Sequence, residues 1–91
     1  MENLNINITE KHYYDAERAC RKAYEKHFNI KLGNTPKKIT TKDGLIEIHR
    51  EIIKLFLDLK PRNPKTSYDF ALYALCSAKI KETVEKLKLI N

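Results

Sequence analysis

The sequence predicts an all-α fold: a three-helix bundle, with or without a short N-terminal β-strand, forming one domain over residues 1–91. Three observations predict it. Apolar residues recur at spacings of three and four along three long stretches. Each stretch opens on a Thr, Ser or Asp suited to capping a helix. Pro36 and Pro61, which cannot continue a helix, fall between the stretches.

Residues 1–8 come first, as strand or tail. Asn3, Leu4, Asn5, Ile6, Asn7 and Ile8 alternate with a period of two, which sets Asn on one face and aliphatic side chains on the other. Residues 29–32, residues 38–40 or the same segment of a second subunit would supply the pairing strand.

The first helix is predicted over about 10–30, with Thr9 as N-cap, Glu10 in the first turn and Gly33 as the stop signal. Tyr13, Ala16, Cys20, Ala23, Tyr24 and His27 share one face, and Ala16, Ala19 and Ala23 leave room for a close neighbour. The second helix, 43–60, starts near Thr41 or Asp43. Its apolar arc from Leu45 to Leu59 includes His49, Phe56 and Leu57 and covers about half the circumference, as suits a helix touching two others. The third helix, 67–90, starts at Thr66 or Ser67 with Asp69 near the capping-box position. Its core seam is read as Phe70, Tyr73, Ser77, Ile80, Val84 and Leu87. Tyr68, Ala71, Leu72 and Leu75 form a second stripe, which helix 1, the N-terminal strand or another molecule would cover.

Composition narrows the function classes. The chain is 42% hydrophobic and 33% charged, in the range of globular helical proteins rather than disordered ones. A domain of 91 residues buries about 60–65% of its unfolded surface, which makes one core but no deep enclosed pocket beside it. No run approaches the roughly 18 apolar residues of a membrane span. The segment Met1–Asn5 is polar and acidic, so no targeting signal and a cytoplasmic location are expected. Cys20 and Cys76 then read as reduced, buried core residues.

The net charge of +6 is unevenly held. Residues 31–42 contribute +4 and residues 61–67 contribute +2, so the remainder of the chain is neutral. In an up-down-up bundle these connectors lie at opposite ends, roughly 26 Å apart for a 17-residue helix. The end of helix 3, with Lys79, Lys81, Lys86 and Lys88, returns to the end held by connector 31–42. A basic partner-binding surface is therefore expected from Lys31, Lys37, Lys38, Lys42, Lys86 and Lys88. Only four arginines are present, and arginine is the better groove reader and phosphate clamp, so their scarcity weakens a base-reading role for this surface.

No catalytic or metal motif stands out. Cys20 and His27 are seven residues apart, roughly 10 Å along a helix, too far for both to ligate one ion directly. His49 falls on an apolar arc without a nucleophile beside it and is read as partly buried, with a tyrosine (Tyr13, Tyr24 or Tyr73) as partner. Those three tyrosines are placed in the core, and Tyr14 and Tyr68 nearer the surface. No catalytic residue, metal or cofactor is expected.

Two family resemblances bear on function. Arg21 and His27 have a spacing similar to the Arg–His pair of HEPN ribonucleases, but Lys22 stands where that family has Asn, Asp or His, and RNA cleavage is not carried over. The N-terminal strand followed by two helices resembles the ribbon–helix–helix repressors. That resemblance covers about 55 residues and implies a homodimer whose paired strands enter the major groove, with Asn3, Asn5 and Asn7 as base-contacting residues. The residue pattern itself favours a non-catalytic helical binding or regulatory protein, of adaptor, inhibitor or immunity type, acting through protein–protein contact. Its interface would be the basic end or the stripe Tyr68, Ala71, Leu72 and Leu75. The nucleic-acid-binding dimer is the alternative.

Overall fold

The computed structural model describes residues 7–32 and 41–90. They form three α-helices: α1, Glu10–Phe28; α2, Lys42–Leu59; and α3, Ser67–Ile90. The all-α bundle is as the apolar periodicity predicts. Contacts along the helices give its direction. Lys60 stacks on Tyr73, and Phe56, earlier in α2, lies by Lys79, later in α3, so α2 runs against α3. Glu17 pairs with Lys79, and Leu32, farther along, lines one cleft with Thr83 and Lys86, so α1 and α3 run the same way and α2 runs against both.

Each helix starts on a threonine. Thr9 Oγ1 accepts the His12 N–H at 3.4 Å, and the His12 ring accepts the Thr9 N–H at 3.0 Å, a capping box with histidine in the role usually held by Glu or Gln. Thr41 Oγ1 accepts the Gly44 N–H at 3.0 Å. Thr66 Oγ1 accepts the Asp69 N–H at 3.0 Å, and the Asp69 carboxylate accepts the N–H groups of Lys65 at 3.1 Å and Thr66 at 3.3 Å. Such bonds satisfy donors that have no partner within the helix.

The C-terminal stop of α1 differs from the expected one. Asn29, with φ 54° and ψ 44°, ends the helix four residues before Gly33. Asn tolerates this left-handed conformation better than other residues with a Cβ. Its N–H and that of Ile30 both donate to the Glu25 carbonyl. The Glu25 carboxylate also accepts the Leu32 N–H at 3.0 Å, which holds the departing chain against α1. α2 ends at Lys60, whose extended backbone (φ −65°, ψ 125°) is the geometry required before Pro61.

The core is built largely from small side chains. Ala16 and Cys20 of α1, Phe56 of α2, and Ala71, Leu72 and Cys76 of α3 are buried, with Ala19, Tyr24, Ile52, Leu59, Tyr68, Leu75 and Ile80 packed around them. Of the alanines of α1, Ala16 is buried in this core and Ala19 packs against it. Cys20 and Cys76 lie in the core as free thiols.

The faces assigned to α2 and α3 need correction. The stripe Tyr68, Ala71, Leu72 and Leu75, expected as an interface, belongs to the bundle's own interior, with Ala71 at 0% and Leu72 at 7% exposure. Small residues on α1 let α3 turn this side inward, and burial pushes the Tyr68 phenol above its ordinary value. Tyr73, placed in the core seam by its spacing, is exposed instead, as are Tyr13 and Leu57. Lys60 Nζ sits 4.4 Å from the centre of the Tyr73 ring, a cation–π contact in solvent. Asn7 and Ile8 lead into the Thr9 cap without strand structure. Asn3 and Asn5 lie outside the described residues, and so does the expected strand pairing.

These placements have measurable consequences. Phe56→Ala should destabilise the fold by about 3–5 kcal/mol in urea unfolding, whereas Leu57→Ala should change it by less than about 1 kcal/mol. Leu72→Lys should abolish the far-ultraviolet helical signal at 25 °C, which an interface residue on a folded monomer would not do. Acid should act through the α3 cap. The N–H donors of Lys65 and Thr66 hold the Asp69 carboxyl below its ordinary 3.8. Its stabilising effect is therefore complete above the unfolded value and is lost as pH falls through the lower folded one. Asp69→Asn should flatten the decline of the urea midpoint below about pH 4; an unchanged decline would exclude this cap as its source.

Candidate functional site

One cleft of about 240 Å³ opens where all three helices meet. Its floor is Cys20 and Tyr24 of α1 with Ile52 and Phe56 of α2. Its rim carries Arg21 from α1 and Lys79 and Lys86 from α3, and Leu32 closes the side where the chain leaves α1. On α3, Lys79, Glu82, Thr83 and Lys86 follow the three-and-four spacing that puts them on one face. Glu25, by fixing the Leu32 backbone, positions that wall of the cleft.

Charge around the rim is partly compensated. Lys79 Nζ lies 3.9 Å from a Glu17 carboxylate oxygen and 5.8 Å from the centre of the Phe56 ring. Lys86 Nζ lies 3.3 Å from the Glu82 carboxylate. Arg21 has no carboxylate partner among the described residues. Exposed pairs such as Lys86–Glu82 contribute about 0–1 kcal/mol and exchange readily for a better partner. Thr83 is the buried polar residue of this wall, and its hydroxyl donates to the Lys79 carbonyl at 2.7 Å.

Of the residues expected in the basic surface, Lys86 lines the cleft, Lys31 is exposed next to Leu32, and Lys42 is exposed at the start of α2. Lys88 is exposed on the last turn of α3, 4.0 Å from Glu85. Lys37 and Lys38 lie outside the described residues. Lys79, expected at the basic end of helix 3, lines the cleft, whereas Arg21 did not enter the expected surface. Summing charge by segment hid Arg21, because residues 1–30 carry as many acids as bases. The spacing of Lys79, Glu82, Thr83 and Lys86 is the signal that could have found the α3 wall.

The histidines take local partners. His49 Nδ1 donates to the Leu45 carbonyl one turn back at 2.8 Å, so a backbone oxygen fills the role expected of a tyrosine. His27 Nε2 lies 3.4 Å from the Glu51 carboxylate. Six residues turn a helix through about 240°. Arg21 accordingly faces the cleft while His27 faces Glu51, and the two form no joint site. Among the described residues, no three His, Cys, Asp or Glu side chains converge as a metal site would need. Among the described residues, no helix is long and apolar enough to cross a membrane.

Compared with protein-family models, curated proteins and solved structures, the chain matches none.

Replacing Lys79 tests whether the rim is separable from the fold. Lys79→Met keeps an apolar stem over Phe56 and removes only the half-exposed charge. Its urea unfolding free energy should stay within about 1 kcal/mol of the parent; a loss of several kcal/mol would make Lys79 part of the core instead.

Proposed function

We propose that this chain is a non-catalytic binding protein, of adaptor, inhibitor or immunity type, which seats an acidic segment of a partner protein in the three-helix cleft. The observation that carries the reading is the pairing of an apolar floor, Tyr24, Ile52 and Phe56, with a rim of Arg21, Lys79 and Lys86. Interfaces draw their energy from a small desolvated apolar centre, and charges at the rim set orientation and association rate. A partner side chain such as Phe or Leu fills a shallow cleft of this size. A neighbouring carboxylate then meets Arg21, whose planar guanidinium binds carboxylates through two parallel hydrogen bonds. Glu17 and Glu82 hold Lys79 and Lys86 in place until an incoming carboxylate shares them.

Lys31, Lys42 and Lys88, exposed where α1 and α3 finish and α2 begins, add long-range attraction for an acidic partner. This attraction weakens once the Debye length falls below about 10 Å. The partner is a protein segment rather than a nucleic acid on two grounds: the floor is apolar, and Glu82 stands among the rim bases.

The test uses a synthetic peptide of alternating glutamate and phenylalanine, titrated into the isotopically labelled chain. Amide shifts should concentrate at Arg21, Tyr24, Thr83 and Lys86. Arg21→Glu should weaken binding at least about tenfold, and Lys60→Glu, at the far end of α2, should leave it within about twofold. Equal binding by the parent and Arg21→Glu would overturn the cleft assignment. Binding of random duplex DNA with a steep salt dependence, in place of the peptide, would transfer this end to nucleic acid.

A further inference from the structure

The groove between α1 and α3 has two stations along its length. On α1, Glu10, Tyr13, Glu17, Cys20, Arg21 and Tyr24 follow the three-and-four spacing of one helix face, and Tyr14 stands beside Tyr13. On α3, Leu75, Lys79, Glu82 and Lys86 do the same. The later station is the cleft already described. The earlier one is a more open depression formed by Glu10, Lys11, Tyr13, Tyr14, Glu17 and Leu75. The Glu17–Lys79 pair, 3.9 Å apart, marks the border between them.

The two stations carry opposite charge. In the earlier one Glu10 and Glu17 outnumber Lys11, whose ammonium also lies 3.2 Å from the Asp15 carboxylate. In the later one Arg21, Lys79 and Lys86 outnumber Glu82. Glu10, like Arg21, has no ion-pair partner among the described residues. Tyr14, at 66% exposure, is the most exposed aromatic residue among those described, and Tyr13 beside it is at 42%. Glu10 and Tyr14 are four residues apart, so a carboxylate and a ring project from the same side of α1. That is the chemistry the cleft is proposed to accept.

We propose that a second copy of this chain occupies the groove, in a two-fold dimer whose earlier station on each copy covers the cleft of the other. The proposal rests on the acidic-segment assignment of the cleft and names its occupant. A two-fold axis crossing the groove between the stations sets the two grooves antiparallel, and each acidic station meets a basic one. A parallel arrangement would bring like charges together. Tyr14 of one copy then lies over Phe56 of the other, and Glu10 reaches Arg21. Because the same surface is used twice, assembly stops at two chains.

The matched surface runs about 21 Å from Glu10 to Tyr24 and is about two helices wide, which gives about 400 Å² per copy. Half the size of a standard interface, it holds a weak dimer that forms at roughly 0.1–1 mM chain and yields to a tighter partner.

The experiment is sedimentation of the full chain from about 20 μM to 2 mM. The average mass should climb from one chain towards two and stop there, and the glutamate–phenylalanine peptide should return it to one. Tyr14→Ala, which removes an exposed ring and leaves a good helix former, should weaken the dimer at least about tenfold. Glu10→Arg and Arg21→Glu should each do the same, while an equal mixture of these two variants should pair as well as the parent, since opposite charges face each other again. In a mixture of labelled and unlabelled parent chains, isotope-filtered spectra should place Tyr14 ring protons of one copy near Phe56 of the other. A single-chain mass up to 2 mM in a protein that still binds the peptide would overturn the dimer and leave the cleft assignment standing. A dimer untouched by Tyr14→Ala and Arg21→Glu, or interchain contacts confined to residues 1–8 as paired N-terminal strands would give, would also overturn it. The isotope-filtered contacts need no variant, so a substitution that disturbs folding leaves that test intact.

Discussion

The arrangement depends on how closely α1 and α3 approach each other. Ala16 and Cys20 on one side, and Ala71 and Cys76 on the other, are fully shielded, and none carries more than one heavy atom beyond Cβ. Helices that meet through such residues bring their backbones near and gain dispersion contacts along the seam rather than from a few large side chains. α2 then fills the remaining side with Phe56, the one large aromatic in the buried set. A bundle of this kind has a narrow interior. Its larger apolar groups sit at the edges, half wet, and several of them line the cleft.

The cleft follows from that geometry. With Cys20 in the floor rather than a bulky side chain, Phe56 and Ile52 remain reachable from solvent. Basic residues on flanking turns overhang them, with their aliphatic stems lying on the apolar surface and their charges outward. Lys79 shows the pattern, near both the Phe56 ring and the Glu17 carboxylate.

The number, order and approximate limits of the helices were legible in the sequence because they rest on local chemistry: Thr9, Thr41 and Thr66 cap donors within their own first turns. The inward side of α3 was less legible. Hydropathy favoured Phe70, Tyr73, Val84 and Leu87, but the contact with α1 selects for size, and Ala71 and Cys76 won the interior. Tyr73 and Tyr13 were misplaced for a related reason, since a phenol is content with its ring half covered and its hydroxyl in water. At the cleft, Lys79 and Lys86 were anticipated at the basic end of helix 3 and Arg21 was not. Net charge per segment carries no information about which helix faces which.

The clamp at the end of α1 ties two parts of the molecule together. Glu25 receives the Asn29 and Ile30 N–H groups on its carbonyl and the Leu32 N–H on its carboxylate. Unwinding of the last helical turn would free Leu32 and remove one side of the cleft in the same motion. Fraying of α1 and the shape of the cleft are thus one equilibrium, and a guest resting on Leu32 would quiet the helix end four residues and more upstream.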